Sequence, residues 1–189
     1  MVTASEKSEL ELLKQENLRL RKLLDEASVD TLTGLAGRRQ FEHRIAEEFS
    51  NHHHHPERHF SIFIVDLDHL KKVNDNHGHP AGDRMIVEFG QLFKKLMREY
   101  DMVARIGGDE FGAILPGENK EGAEMVKQRL LQKFEEFKDS MLYFSGVSIG
   151  VASTSEGLGT FDEMYTEADK KMYAHKNATR GFLLVRKTA

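Results

Sequence analysis

Apolar positions along the chain change their rhythm several times, and each change predicts an element. In residues 6–28, "EKSELELLKQENLRLRKLLDEAS", Leu10, Leu13, Asn17, Leu20, Leu24 and Ala27 follow one another at intervals of 3, 4, 3, 4 and 3. That is the a/d rhythm of a coiled coil, where an Asn on the apolar seam costs stability but favours a parallel, in-register pair. The same spacing suits an amphipathic helix packed on its own domain. Three heptads without Gly or Pro favour the dimer. So short a stretch is marginal alone, so it is expected to continue an upstream segment or to lean on the domain that follows.

The next stretch, "DTLTGLAGRRQFEHRIAEEF", loses the rhythm at Gly34 and Gly37 and regains helical spacing at Phe41, Ile45 and Phe49. "NHHHHPERH" reads as a polar loop. Adjacent histidines can bind metal, but consecutive residues of a helix or strand do not share a face, so solvation is the reading here. "FSIFIVDLD" is apolar and β-rich almost throughout, which predicts a central strand covered on both faces. "DRMIVEFGQLFKKLMREY" predicts a helix turning Met85, Ile86, Phe89, Phe93 and Leu96 to one side. "MVARIGGDEFGAIL" predicts two short strands about a two-residue Gly-Gly turn. A helix carrying Met125, Val126, Leu130 and Phe134 inward follows, then the strand "LYFSGVSIGVAS", the helix "FDEMYTEADKKMYAHKN" and a last short edge strand, "FLLV". The order β-α-β-β-α-β, with one helix before it and one after, is the ferredoxin-like α+β pattern on a mainly antiparallel sheet.

Composition narrows the chemistry. A chain of 189 residues suits one domain with a modest appendage, here divided at residues 1–28 and 29–189. Its 39% hydrophobic and 31% charged residues fit a globular protein carrying a solvated segment. A net charge of −4 gives no bulk attraction for nucleic acid, so a polyphosphate ligand would need local cations or a metal. The absence of cysteine excludes disulfides, zinc-thiolate sites and thiol catalysis. There is no signal-like apolar region and no membrane-length apolar stretch, so the expected location is cytoplasmic.

Two stretches hold candidate chemistry. In "VDLDHLKKVNDNHGHPAGD", Asp66 ends the buried strand, where a carboxylate can be held at the sheet rim, and Asp68 lies two residues on. Hard oxygen ligands of this kind suit Mg²⁺. Lys71 and Lys72 could partner phosphates, and Asn74, Asp75 and Asp83 offer donors and acceptors for a base edge. A polar loop with Asp83 as a helix N-cap reads the same residues equally well. In "RIGGDEFGAIL", Asp109 and Glu110 are either solvent-facing acids beside a plain turn or partners of Asp66 from the neighbouring strand. Gly107 and Gly108, lacking Cβ, would let a nucleotide pass over that turn. Strand alternation separates Asp109 from Glu110, so only one of them should face Asp66.

"RIGGDEF", taken with "DLDHLKKVNDNHGHPAGD" and "DTLTGLAGRR" in this order, resembles the GGDEF family of diguanylate cyclases over residues 28–187. The resemblance implies a palm-type nucleotidyl cyclase core and the condensation of two GTP into cyclic di-GMP with release of two pyrophosphates. It implies that Asp66, Asp109 and the backbone carbonyl of Leu67 bind Mg²⁺ (or Mn²⁺), with Glu110 as a second acid near the metal or the 3′-OH. Asn74 and Asp83 match the guanine readers, and an aspartate that pairs with guanine would be left unpaired by adenine. Leu70, Lys71, Gly107, Gly108, Lys176 and Arg180 match the phosphate-binding positions. Arg98 and Asp101 of "REYD" match an RxxD product site at which cyclic di-GMP inhibits. Gly37, Leu70, Thr179 and Gly181 depart from the family's usual residues, and none of these removes a metal ligand.

One site holds one GTP while the product joins two, so two domains must face each other. The coiled coil would hold them as a homodimer at high effective concentration. Two other readings use fewer of these residues. A catalytically inactive GGDEF-fold receptor for cyclic di-GMP or GTP would not need the acids, and a dimerisation element explains none of them.

Overall fold

The apolar run at Phe60–Leu67 becomes a strand bonded on both sides, and its period of two explains why it is apolar throughout. Phe63, Val65 and Leu67 enter one core, while Phe60, Ile62 and Ile64 enter a second core on the opposite face of the sheet. The computed structural model describes residues 28–186, with residues 10, 12–16 and 19 before them, and only the backbone from residue 179 onward. In chain order the elements are β1 (Ala36–Gly37), α1 (Arg38–His54), β2 (Phe60–Leu67), α2 (Leu70–His77), α3 (His79–Leu96), β3 (Met102–Arg105), β4 (Glu110–Pro116), α4 (Lys120–Phe137), β5 (Val147–Ser153) and α5 (Phe161–Arg186). The sheet runs β1-β3-β4-β2-β5, antiparallel at every contact except β1 with β3. From β2 onward this is the ferredoxin-like order, as expected.

Helices α3 and α4 cover one face, where Phe89 touches the rings of Phe93, Phe111, Phe134 and Phe144. Helices α1 and α5 cover the other, with Phe41, Ile45, Met164, Ala168 and Met172 buried against the strands. Along α3, Met85, Ile86, Phe89 and Phe93 are buried and Leu96 half-buried. Among the described residues, no helix is long and apolar enough to cross a membrane.

Several expectations need correction. "FLLV" is not an edge strand, because α5 runs helically through it to Arg186. The first histidines of the "HHHH" run belong to the last turn of α1 rather than to a loop. Met125 is 70% exposed, whereas Val126, Leu130 and Phe134 point inward. Helix α3 begins at His79 after Gly78, with Pro80 in its first turn, so Asp83 lies inside the helix and is no N-cap. The β3–β4 connection is Ile106–Asp109, not a two-residue turn, and Ile106 and Gly107 both donate to the Glu110 carbonyl, at 2.9 and 3.2 Å. Neither Gly107 nor Gly108 has a positive φ, so a left-handed turn is not the reason for the pair. Of the proposed seam, Leu10 and Leu13 are helical and 52% and 56% exposed. Asn17, Leu20, Leu24 and Ala27 lie outside the described residues.

Candidate active site

Strand parity decides where the acids meet. Asp66 shares the parity of Ile62 and Ile64, so it emerges at the end of β2 on the side covered by α1 and α5. Its Cα partner on β4 is Glu110, and on β5 it is Ser148. Of the two acids that the sequence left open as partners of Asp66, the one in register with it is therefore Glu110. Asp109 lies in the connection before β4, where its carbonyl accepts the Leu67 amide at 3.0 Å and ties the turn to the end of β2. Alternation does not separate the two acids here, because Asp109 is outside the strand.

The acids repel one another. Burial pushes the Asp66 carboxyl above its ordinary range, Lys176 opposes this, and the charges of Asp109 and Asp68 add to the rise. Burial also raises Glu110, followed by the charges of Asp109, Asp66 and Asp169. Lys176, on α5, donates to Asp66 Oδ1 at 2.5 Å, so this cation sits on a carboxylate rather than standing apart for phosphate. Oxygen donors that remain short of positive charge fit a hard divalent cation. Among the described residues no three such side chains are already gathered around a metal position, so the donor set fits in its chemistry and would have to draw together.

This repulsion has a measurable consequence. A carboxyl whose folded-state pKa is raised keeps its proton in the folded chain where the unfolded chain has lost it, so stability falls as pH rises from the ordinary Glu value of 4.5 toward the raised one. Thermal unfolding of the nucleotide-free chain should show a Glu110-dependent loss of Tm as pH rises above about 4.5, seen as the difference between wild type and Glu110→Gln. Glu110→Gln should flatten that decline and leave Tm at pH 7 at or above the wild-type value. A lower Tm for Glu110→Gln at pH 7 would contradict the account.

Beside the acids, His69 takes a left-handed φ of 66° and starts α2 without a side-chain cap. The first amides of α2, those of Leu70 and Lys71 included, thus belong to a helix N-terminus, where such groups have no intrahelical acceptor. The Leu70 side chain is buried in the core, so only its backbone is available to a ligand. Lys71 is exposed. Asn74 lies three residues beyond Lys71 on α2 with its Oδ1 buried and unpartnered. That oxygen lies against Gly82, where an added Cβ would come within 2.0 Å of it. Asp83 is the next residue and is exposed. Gly108 is exposed, with nothing within 4 Å of where a Cβ would stand. The Arg180 side chain lies outside the described residues.

Two supporting contacts had no role in the reading of the sequence. Arg105 donates from Nη2 to the Gly108 carbonyl at 2.8 Å and from Nη1 to Asp30 Oδ2 at 3.1 Å. Asp30 in turn accepts from Thr33 through its N–H and hydroxyl, at 2.8 and 2.6 Å. The "DTLTG" stretch thus braces the "GGDE" turn through one arginine, and the only sequence signal was that the two motifs occur together. His175 is the second: its Nδ1 accepts the Ile149 amide at 3.1 Å, joining α5 to the outer edge of β5 one residue before Lys176. Burial and then Lys127 hold His175 below the ordinary imidazole range, which suits an accepting, neutral ring.

The "REYD" pair lies elsewhere. The Asp101 side chain is buried, accepts the Arg98 amide on Oδ2 at 2.9 Å, and leaves Oδ1 without a partner. Burial raises its carboxyl above the ordinary range, partly offset by Arg98. The Arg98 guanidinium is turned to Glu118 and, at 3.0 Å, to the Tyr100 hydroxyl. A cleft of about 520 Å³, with Arg44, Lys94 and Tyr100 in its wall, opens beside Asp101 and not beside the acids.

A ferredoxin-like sheet with acids at the end of its central strands, and a lysine of α5 bonded to one of them, defines a palm-type fold. Comparison with known proteins names the family: the profile described as "Diguanylate cyclase, GGDEF domain" matches residues 27–181, and the chain belongs to that family. It is 37% identical over 171 residues to the probable diguanylate cyclase DgcE of Escherichia coli K12, covering 88% of this chain and 15% of that protein. It is 31% identical over 155 residues to the diguanylate cyclase DgcS of Shewanella oneidensis, covering 82% of this chain and 51% of that protein. The chain thus spans about half or less of these relatives. Among solved structures, the GGDEF domain of PA1120 (TpbB or YfiN) from Pseudomonas aeruginosa is 30% identical with a TM-score of 0.71, covering 79% of this chain and 88% of that one. The GGDEF domain of DgcB from Caulobacter crescentus, in complex with c-di-GMP, is 25% identical with a TM-score of 0.72, covering 80% and 91%.

Proposed function

We propose that the chain is a diguanylate cyclase, joining two GTP into cyclic di-GMP with loss of two pyrophosphates. The observation that carries this reading is the pairing of Asp66 with Glu110 across β2 and β4, with the Asp109 charge acting on both. Asp66, Asp109 and the Leu67 carbonyl, with Glu110 beside them, would hold Mg²⁺ or Mn²⁺, which supplies charge neutralisation to the triphosphate.

The chain's own residues bind and orient. The α2 N-terminal amides at Leu70 and Lys71, the Lys71 ammonium and the open surface over Gly107 and Gly108 receive the phosphates. Lys176 is shared between Asp66 and the triphosphate, and Arg180 adds a second cation. Asn74 offers its unpartnered Oδ1 to guanine N–H groups, and Asp83 accepts beside it, so adenine leaves both short of donors. Each 3′-oxygen then forms a bond to the other nucleotide's α-phosphorus as the bond to the β-phosphate bridge breaks. Pyrophosphate departs and the hydroxyl proton passes to water or to Glu110. Residues 6–28 pair as a coiled coil and bring two domains face to face. The product returns to Arg98 and Asp101, where Arg98 exchanges Glu118 for the ligand.

The test is incubation with GTP and Mg²⁺ at several chain concentrations, with separation of the products. Cyclic di-GMP formed at a rate per chain that rises with concentration supports the reading, and no cyclic dinucleotide at any concentration overturns it. Added cyclic di-GMP should slow the wild type and leave Arg98→Ala at its full rate. Equal slowing of both would remove the product site from the account.

A further inference from the structure

The histidine run is left without a task by this chemistry, and the fold gives one of its imidazoles, His52, a partner in His59. His53, His54 and His55 are exposed, but His52 is half-buried on α1 and meets half-buried His59, which comes just before β2. Their ring centroids are 5.4 Å apart with 42° between planes. Two imidazoles bound to one ion at ~2.0–2.1 Å, at a tetrahedral angle, place their centroids about 5 Å apart.

Hydrogen bonds set the tautomer of His52 and allow the same one at His59. His52 Nδ1 lies 3.0 Å from the Arg58 carbonyl oxygen. A carbonyl only accepts, so Nδ1 carries the proton and Nε2 keeps its lone pair. His59 Nδ1 lies 3.4 Å from the Thr154 hydroxyl, which is also 3.4 Å from the Phe60 carbonyl. With the hydroxyl proton on that carbonyl, His59 also donates from Nδ1 and keeps its Nε2 lone pair. A ring with one nitrogen held by an oxygen and the other free is the usual state of a metal-ligating histidine.

We propose that His52 and His59 bind a divalent transition-metal ion through their Nε2 atoms, with Zn²⁺ as the representative ion. Among the described residues no three His, Cys, Asp or Glu side chains are gathered for a metal, so water completes the coordination. The site lies at the opposite end of β2 from Asp66, with His59 seven residues or about 23 Å away along the strand. Its nitrogen donors select against Mg²⁺, whereas the oxygen donors at the acids favour it. A bound ion would link the end of α1 to the start of β2.

Calorimetric titration with Zn²⁺ in a large excess of Mg²⁺ tests this, because Mg²⁺ occupies the acids and leaves the imidazoles. One Zn²⁺ per chain is expected in the wild type. His52→Gln and His59→Ala should each bind at least ten-fold more weakly, and His53→Ala with His54→Ala should bind as the wild type does. Nitrogen-15 spectra of the wild-type imidazoles should show Nδ1–H at both rings before Zn²⁺ and a shift at both Nε2 atoms after it, which keeps the test independent of whether a variant folds. The proposal is overturned by no uptake in the wild type, by undiminished binding in folded His52→Gln, or by loss of binding only when His53 and His54 are replaced.

Discussion

Asp109→Asn should lower turnover of GTP by about 10³-fold, equivalent to ~4 kcal/mol of activation free energy, while leaving the fold intact. The reason lies in the crowding of one buried acid, Asp66, and two half-buried ones. Asp66, Asp109 and Glu110 repel one another, and the Lys176 ammonium bonded to Asp66 offsets only part of that charge. In the proposed reaction that shortage of charge would draw in a cation and, with it, the triphosphate. Replacing Asp109 removes an oxygen donor and part of the repulsion together. Nucleotide-free Asp109→Asn should therefore melt no lower than the wild type even though it is inactive. Loss of both folding and activity would mean that Asp109 acts through structure alone.

The second large effect is one of packing. Gly150, on β5, faces α5 so closely that an added Cβ would stand 1.8 Å from the Ala168 carbonyl oxygen and 2.4 Å from the Met172 nitrogen. These are backbone atoms of a helix, with no side chain able to rotate away. Gly150→Ala must push α5 off the sheet, at a cost of about 3 kcal/mol, the upper end of ordinary overpacking. For a domain of this size that corresponds to a Tm lower by roughly 6–12 °C. Since α5 also carries Lys176, whatever Gly150→Ala remains folded should bind GTP more weakly. Gly108→Ala is the counterpart, with open space and no positive φ, and its Tm should stay within about 2 °C of the wild type. A Gly150→Ala protein with wild-type Tm would show that α5 does not rest on β5 as described.

Much of the fold was legible because burial writes its period into the sequence. The apolar run of β2, the stripe of Met85, Ile86, Phe89 and Phe93, and the strand–helix order were all readable on that ground. What failed was short or local. Residues 182–185 have the composition of a strand, yet α5 continues through them. Helix α2 was hidden because its outer face is Lys71, Lys72, Asp75 and Asn76, with only Leu70 and Val73 buried. The positions of the candidate site residues followed from family motifs, but their relations did not. Register, which pairs Asp66 with Glu110, depends on how the Ile106–Asp109 connection closes, and no spacing rule supplies that. Arg105 reaches Asp30 across 75 residues of sequence, a contact that only the sheet brings about.

In the proposed function these residues join two guanine nucleotides and reject adenine. The most direct measurement gives the wild-type chain an equimolar mixture of GTP and ATP with Mg²⁺ and weighs the products by mass spectrometry. Cyclic di-GMP is expected as the dominant product, with no di-adenine species and little mixed dinucleotide. Mixed and di-adenine products in comparable yield would contradict the roles given to Asn74 and Asp83, and the absence of any cyclic dinucleotide would contradict the cyclase itself.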